Sequence, residues 1–222
     1  MSEKKTIAIL GGTGRLGPGL ALRWAHAGHR VLIGSRQAEK AQGVAAGLNA
    51  ELRPGAIEGM QNAEAARQAD ICVLTVDQDA HQAALESVKA EVQGKILVDT
   101  TARLSFPDLT PPAPPAAAQL AQQWLGPEVR VVAAFQTVPA ASLRKNIDQP
   151  LDADVLVCAD DAAAAEEVMA LARDGGLQAY YSGTLDKAIV VEGLTSILVS
   201  MNKYYKSRHG TFKVAGIPKK KS

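Results

Sequence analysis

Cysteine is nearly absent from this 222-residue chain: Cys72 and Cys158 are the only two. They stand far apart, each in an apolar run, Ile71-Cys-Val-Leu74 and Val155-Leu-Val-Cys158. They read as buried strand thiols, not as a redox pair or a metal site, and no metal is expected. Charge of one sign is lacking too. The 24 Lys and Arg against 23 Asp and Glu leave a net +1, so neither nucleic acid nor a membrane surface is an expected partner. No apolar stretch is long enough to span a bilayer. Met-Ser-Glu-Lys-Lys runs straight into a strand-like segment, so no signal peptide and a cytoplasmic location are expected.

Candidate acid–base groups are scarce as well. The histidines are His26, His29, His81 and His209. The first two belong to the first helix and its exit turn and read as surface residues. His81 lies near a strand-end loop, where a plain helix start and a place in a cleft both remain open. No Tyr-x-x-x-Lys occurs: Tyr180, Tyr181, Tyr204 and Tyr205 are followed at that spacing by Thr184, Leu185, Arg208 and His209. The proton-donating pair of the short-chain dehydrogenases is therefore missing.

What is present begins at the N-terminus. Thr6 to Leu10 is a short apolar run, as a buried parallel strand requires. Gly12-x-Gly14-x-x-Gly17 follows at once. In a dinucleotide-binding turn, Gly12 allows the tight bend, Gly14 lets the backbone approach a pyrophosphate, and Gly17 lets the next helix pack close. The phosphates then sit on free N–H groups at the positive end of that helix. Leu16, Leu20, Trp24 and Ala25 supply its buried face, and Pro18 lies where a missing N–H costs least. A second strand, Arg30 to Ser35, ends in Gly34-Ser35-Arg36. NAD binders usually place a carboxylate there, for the ribose 2′-hydroxyl. A hydroxyl and a guanidinium, with Lys40 one helical turn on, suit a 2′-phosphate instead. The expected cofactor is NADP.

The rest alternates. Helix is expected over 37–48, strand over 56–60, and helix from Asn62, as a cap, to Gln68. Strand is expected over 71–76 and 96–99, with helix over 79–92 between them. Five prolines make 104–115 an extended loop. Helix 116–125 and strand 129–134 follow, then a turn over Phe135 to Ala141. Strands 154–158 and 178–182 flank a helix over 161–173, and a long apolar helix covers 185–205. The fold class is α/β: a Rossmann-type, doubly wound, mainly parallel sheet with a C-terminal helical segment. Residues 1–182 would form the NADP-binding domain, and 183–222 would complete the substrate cleft. Hydrophobic content of 47% and charged content of 21% fit such a globular chain.

Ligands of an open parallel sheet lie beyond the carboxyl ends of its strands. Those ends are Thr75-Val76-Asp77, Asp99-Thr100-Thr101 and Phe135 to Ala141. For Asp77 and Asp79, ordinary loop polarity stays open as a reading. Gln136-Thr-Val-Pro139 is the better candidate, because Pro139 and a β-branched neighbour fix the backbone after a core strand. No catalytic acid or base is expected. A conjugated heterocycle can accept a hydride if the protein stacks two rings at near-attack distance.

The chain resembles the NADPH-dependent coenzyme F420 reductases, nearly end to end. The resemblance is carried by Ile9 to Ala21, by Gly34-Ser-Arg-x-x-x-Lys40 and by Ala69 to Val76. It continues in Val-Val-Ala-Ala-Phe-Gln-Thr-Val-Pro-Ala-Ala at 131–141, in Asp154 to Asp161 and in Val191 to Thr195. It implies hydride exchange between the nicotinamide C4 of NADPH and C5 of the F420 deazaflavin, in a homodimer. It implies Thr13, Gly14, Arg15 and Leu16 on the pyrophosphate and Ser35, Arg36 and Lys40 on the 2′-phosphate. Val76 and Ala140 would flank the nicotinamide. Gln136 and Val138 would contact and position the deazaflavin, beside Pro139. At Gln136 some members carry histidine or asparagine; Gln keeps a donor and an acceptor but does not titrate. Rival readings are reduction of another conjugated acceptor (flavin, quinone or metal chelate) and a non-catalytic NADP(H)-binding regulator.

The C-terminal helix carries Ile189, Val190, Leu194, Ile197, Leu198 and Met201, more than one narrow face. A second chain would complete their burial; burial within one subunit is the alternative. Beyond it, Lys203, Lys206, Arg208 and Lys213 could meet the anionic tail of F420 or stand solvated.

Overall fold

The computed structural model describes residues 3–52, 57–105 and 107–218. The expected first residue of the third strand, Ala56, lies outside them, as do Phe106 of the proline-rich loop and Lys219 to Lys221 of the tail.

Eight strands form one sheet: β1 (Thr6–Leu10), β2 (Arg30–Ser35), β3 (Ile57–Gln61), β4 (Ile71–Leu74), β5 (Ile96–Asp99), β6 (Arg130–Ala133), β7 (Asp154–Ala159) and β8 (Gln178–Gly183). Their order is β3-β2-β1-β4-β5-β6-β7-β8. All neighbours are parallel except β6 and β7, which pair antiparallel through Val132↔Ala159 and Ala133↔Cys158. The first six strands follow the dinucleotide-binding order, and β1 and β4 flank its switch point.

Alternation along the strands makes two cores. Ile7, Ile9, Val31, Ile33, Ile71, Val73, Ile96 and Val98 face one side. There they meet Leu20 and Trp24 of α1 (Gly17–His26) and Val168 and Leu171 of α7 (Ala162–Asp174). Ala8, Leu10, Leu32, Cys72, Leu74 and Leu97 face the other side. Their partners include Leu85 of α4 (His81–Glu86) and Ala121 and Leu125 of α5 (Ala117–Leu125). Both faces are covered, which is why the central strands read as continuous apolar runs.

The remaining helices are α2 (Ala38–Asn49), α3 (Asn62–Gln68), α6 (Ala140–Leu143) and α8 (Ala188–Tyr204). Asp161 caps α7 by accepting from Ala164 N at 2.8 Å. Three expectations are corrected. Helix 79–92 stops at Glu86 and continues as turns, with Val88 N bonded to Leu85 O and Glu91 N to Val88 O. Leu85, Val88 and Val92 stay buried, so the periodicity marked the buried face and not the helix length. The long C-terminal helix opens with a 3₁₀ turn, Leu185–Lys187. Asn62 is the first residue of α3 and makes no cap; its side chain is used elsewhere, as described below.

Candidate functional site

The turn after β1 is shaped by close approaches. Gly11 has φ +68°, the left-handed value, and a Cβ there would lie 2.4 Å from Val76 Cγ1. Thus Gly11, one residue before the expected Gly12, supplies the conformational freedom of the bend. Gly12 is needed for closeness instead: its N–H bonds Gly34 O at 2.9 Å, and a Cβ would sit 2.6 Å from Ile9 O. Gly17 packs onto the turn itself, since its Cβ would meet Gly12 O at 2.6 Å. Gly14 differs. A Cβ there would find no protein atom nearer than 3.8 Å. Protein packing therefore does not require glycine at 14, but a group seated against the loop would.

Among the described residues, the N–H groups of Thr13, Gly14, Arg15 and Leu16 make no hydrogen bond. The first turn of α1 holds no acidic residue and Leu16 offers no side-chain cap. Free N–H groups at the positive end of a ten-residue helix form an anion seat. Asn62 fixes this turn from behind, its Oδ1 accepting from Gly11 N at 3.0 Å.

At the end of β2, Ser35 is buried, and its Oγ accepts from Gln37 N at 3.3 Å. Its own O–H remains available to donate. Arg36 and Lys40 are exposed and make no ion pair among the described residues. No carboxylate stands at the strand end where an NAD ribose would need one.

Further along the edge, Val76 abuts Gly11. Asp77 and Asp79 are exposed. Phe135 takes φ +70°, rare for an aromatic residue, while its ring stacks edge-on against Trp24 at 5.8 Å. That bend turns Gln136 to Pro139 out of β6 and into the start of α6, at Ala140. Gln136, Thr137 and Val138 are buried. Gln136 Nε2 donates to Asp99 O at 3.1 Å, which leaves Oε1 buried without a partner. The Thr101 hydroxyl is likewise buried and unpaired. An unmet buried acceptor costs about 1–3 kcal/mol, which a ligand N–H would relieve.

Sequence reasoning missed what stands behind this edge. His81 is buried and its Nε2 lies 2.6 Å from Oδ2 of the fully buried Asp99, whose Oδ1 accepts from Thr101 N at 2.9 Å. His81 is thus both the first residue of α4 and a brace for the loop after β5. His29 is buried, not superficial: its Nδ1 accepts from Lys5 N and its Nε2 lies 2.8 Å from Asp174. Glu192 is 1% exposed and binds the Arg103 side chain and Ala117 N, gripping both ends of the proline-rich loop. Burial raises its pKa above the usual carboxylate range against the pull of Ala117 N–H and Arg103. Only spacing in space unites these pairs, so no local pattern announces them. The cysteines behave as expected: burial pushes the Cys72 thiol up to about 12 and Cys158 to about 11, far from reactive thiolates.

Sheet order, crossovers and an uncapped α1 behind a glycine turn define the class of dinucleotide-binding folds. The family model for coenzyme F420-dependent NADP oxidoreductases matches residues 6–103. The F420-dependent NADP reductase of Methanothermobacter marburgensis is 37% identical over 225 residues, covering 96% of this chain and 99% of that one. The enzyme of the same name from Methanocaldococcus jannaschii is 36% identical, covering 91% and 94%. A solved structure from Arthrobacter sp. FB24, provisionally named an F420-dependent NADP reductase, superposes with a TM-score of 0.80 at 27% identity, over 95% of this chain and 99% of that one. The chain belongs to the F420-dependent NADP reductase family. Among the described residues no helix is long and apolar enough to cross a membrane.

Proposed function

We propose that this chain is an NADP-dependent oxidoreductase that exchanges a hydride between NADP(H) and coenzyme F420. The observation that carries this reading is the relationship to two F420-dependent NADP reductases over nine-tenths or more of the chain. The glycine turn fits the cofactor on its own terms, because Gly14 leaves open the space a Cβ would fill. Gly12 and Gly17 shape the turn, and the N–H groups of Thr13, Gly14, Arg15 and Leu16 meet the pyrophosphate. Ser35, Arg36 and Lys40 receive the 2′-phosphate. Val76 and Ala140 flank the nicotinamide, and Gln136, Val138 and Pro139 face the acceptor ring.

The two substrates supply the redox chemistry, the nicotinamide C4 hydride going to or coming from C5 of the deazaflavin. The protein's part is to align the rings and exclude water. With Nε2 committed to Asp99 O, Gln136 presents an acceptor to an N–H of the bound rings. Residues 1–182 carry the nucleotide in this reading, and 183–222 close the acceptor side, where Thr195 Oγ1 donates to Gln136 O at 3.2 Å.

We extend the proposal to a homodimer working in the cytoplasm. On α8, Val190 is 61% exposed, Ile197 49%, Met201 47% and Tyr204 80%. Together with half-buried Leu194 they recur at helical spacing along one stripe, opposite the buried Ala188 and Glu192. Gly193 has open space before it, so a second helix could approach closely. An isologous pairing of α8 with its copy closes the stripe.

The test is steady-state NADPH oxidation with F420, FMN and a quinone side by side. Turnover with F420 well above the others is expected. Preference for FMN or the quinone would refute F420 as substrate, and binding without any turnover would leave a regulator.

A further inference from the structure

A second polar site lies one turn of α6 beyond Gln136. Ser142 of α6, Lys145 just after it and His209 of the segment following α8 line a cavity of about 260 Å³ with Arg23, Asn146 and Gln149. The segment is held in place there. Gly210 N donates to Asn202 Oδ1 at 3.0 Å, Thr211 Oγ1 to Thr137 O at 3.4 Å, and Val214 N to Asp154 Oδ2 at 2.6 Å. The Thr211 bond sets the cavity beside the Gln136–Pro139 loop.

Its hydrogen-bond logic is one-sided. Lys145 Nζ lies 3.2 Å from His209 Nε2, and His209 Nδ1 lies 2.8 Å from Ser142 Oγ. An ammonium only donates, so Nε2 accepts, Nδ1 carries the ring proton, and Ser142 Oγ accepts from it. The Ser142 O–H and the remaining Lys145 N–H groups then have no protein acceptor among the described residues and face the open cavity. Arg23 supplies no acceptor, and four of its five N–H groups go to the carbonyls of Leu143, Lys145, Gln149 and Gly175. Among nearby cations, Arg144 is paired with Glu51 and Lys213 with Asp152. Lys145, Lys203, Lys206 and Arg208 make no ion pair among the described residues; the carboxylate acting on this corner is Asp148, through Arg23. A net-positive cavity that offers an unpaired ammonium and a hydroxyl donor beside the amides of Asn146 and Gln149 is matched by a phosphate or carboxylate.

We propose that Ser142, Lys145 and His209 form an anion subsite, and that its occupant is the phosphate- and carboxylate-bearing extension of the second substrate. The identity of that occupant rests on the F420 reading; the anion chemistry does not. Free inorganic phosphate is the other source of the same chemistry.

Two measurements separate these. Titration of the free protein with inorganic phosphate, with chloride as control, is followed by the His209 ring resonances. They should shift in the wild type, and the shift should be lost in Lys145→Gln, whose backbone carbonyl still serves Arg23. The ratio of KM for F420 to KM for the tail-less deazaflavin nucleoside should rise about tenfold in Lys145→Gln and in Ser142→Ala. Phosphate shifts with an unaltered KM ratio would overturn the substrate extension as occupant. Absence of both effects would overturn the subsite. If neither deazaflavin is turned over, the F420 reading fails, and the phosphate titration still decides the anion site.

Discussion

Gly14→Ala should separate cofactor binding from folding. At Gly14 the added Cβ meets only Gly11 O and Thr75 O, both at 3.8 Å, and the backbone is not in the left-handed region. The fold therefore loses nothing, and the stiffer unfolded chain adds about 0.4–1 kcal/mol of stability. In a domain of this size that raises Tm by roughly 1–4 °C. The same methyl fills the space proposed for the pyrophosphate. Forcing a methyl into a packed contact costs about 1–3 kcal/mol, so Kd for NADPH should rise about fivefold to more than a hundredfold. Gly12→Ala and Gly17→Ala are the controls. Their Cβ atoms would lie 2.6 Å from backbone oxygens, of Ile9 and of Gly12, so both should lower Tm. Calorimetry and NADPH fluorescence titration on the three variants decide the matter. Wild-type NADPH affinity in Gly14→Ala, or a Tm as low as that of Gly12→Ala, would refute the assignment of Gly14.

Arg36→Ala should weaken NADPH about tenfold to a hundredfold and NADH by less than twofold, because only NADPH carries the phosphate and exposed Arg36 has no ion-pair partner among the described residues; calorimetric titration with both nucleotides checks it, and equal losses would count against the 2′-phosphate site. Gln136→Leu and Val138→Phe should cut turnover with F420 while leaving NADPH affinity within about twofold; single-turnover transfer from C4-deuterated NADPH should show a primary isotope effect, and its absence would argue against direct hydride transfer. The raised pKa of Glu192 means that the folded chain takes up its proton before the unfolded chain does as pH falls from 7. The Tm difference between wild type and Glu192→Gln should therefore grow in favour of wild type toward pH 5, and a difference that shrinks would reverse the sign of the shift. Ile197→Glu with Met201→Glu should yield monomers by light scattering at micromolar concentration, whereas a wild type already monomeric there would reject the dimer.

Much of the fold was legible. β1, β2 and β5 match their expected bounds to the residue, because short apolar runs buried on both faces are cut off by glycines and charges at each end. The reversal between β6 and β7 was not legible. Both are apolar runs, and strand direction is decided by how the loop over 134–153 packs, not by composition. The positions proposed for NADP stood out because the glycine turn and the β2 end are local. The bend is nonetheless one residue earlier than read, since the pattern of glycines cannot tell a left-handed φ at Gly11 from a close approach at Gly12.

The pairings of the buried polar residues escaped notice for a shared reason. A site that meets its ligands largely through main-chain N–H groups and small side chains must have its loops fixed from behind, where water is excluded. Asn62 takes Gly11 N, and Thr75 Oγ1 donates to Leu10 O, both at the glycine turn. His81 holds Asp99, which holds Thr101 N and, through its carbonyl, Gln136. Glu192 joins Arg103 to Ala117, and Thr195, three residues along the same helix, holds Gln136 O. All but the Asp99–Thr101 bond join residues well separated in the chain, so no local pattern disclosed the pairings. None needs to touch a ligand to matter, because moving the backbone it restrains moves the N–H groups and rings that do. A chain without a visible acid–base pair therefore devotes its buried polar groups to positioning, as hydride transfer between two aligned rings requires.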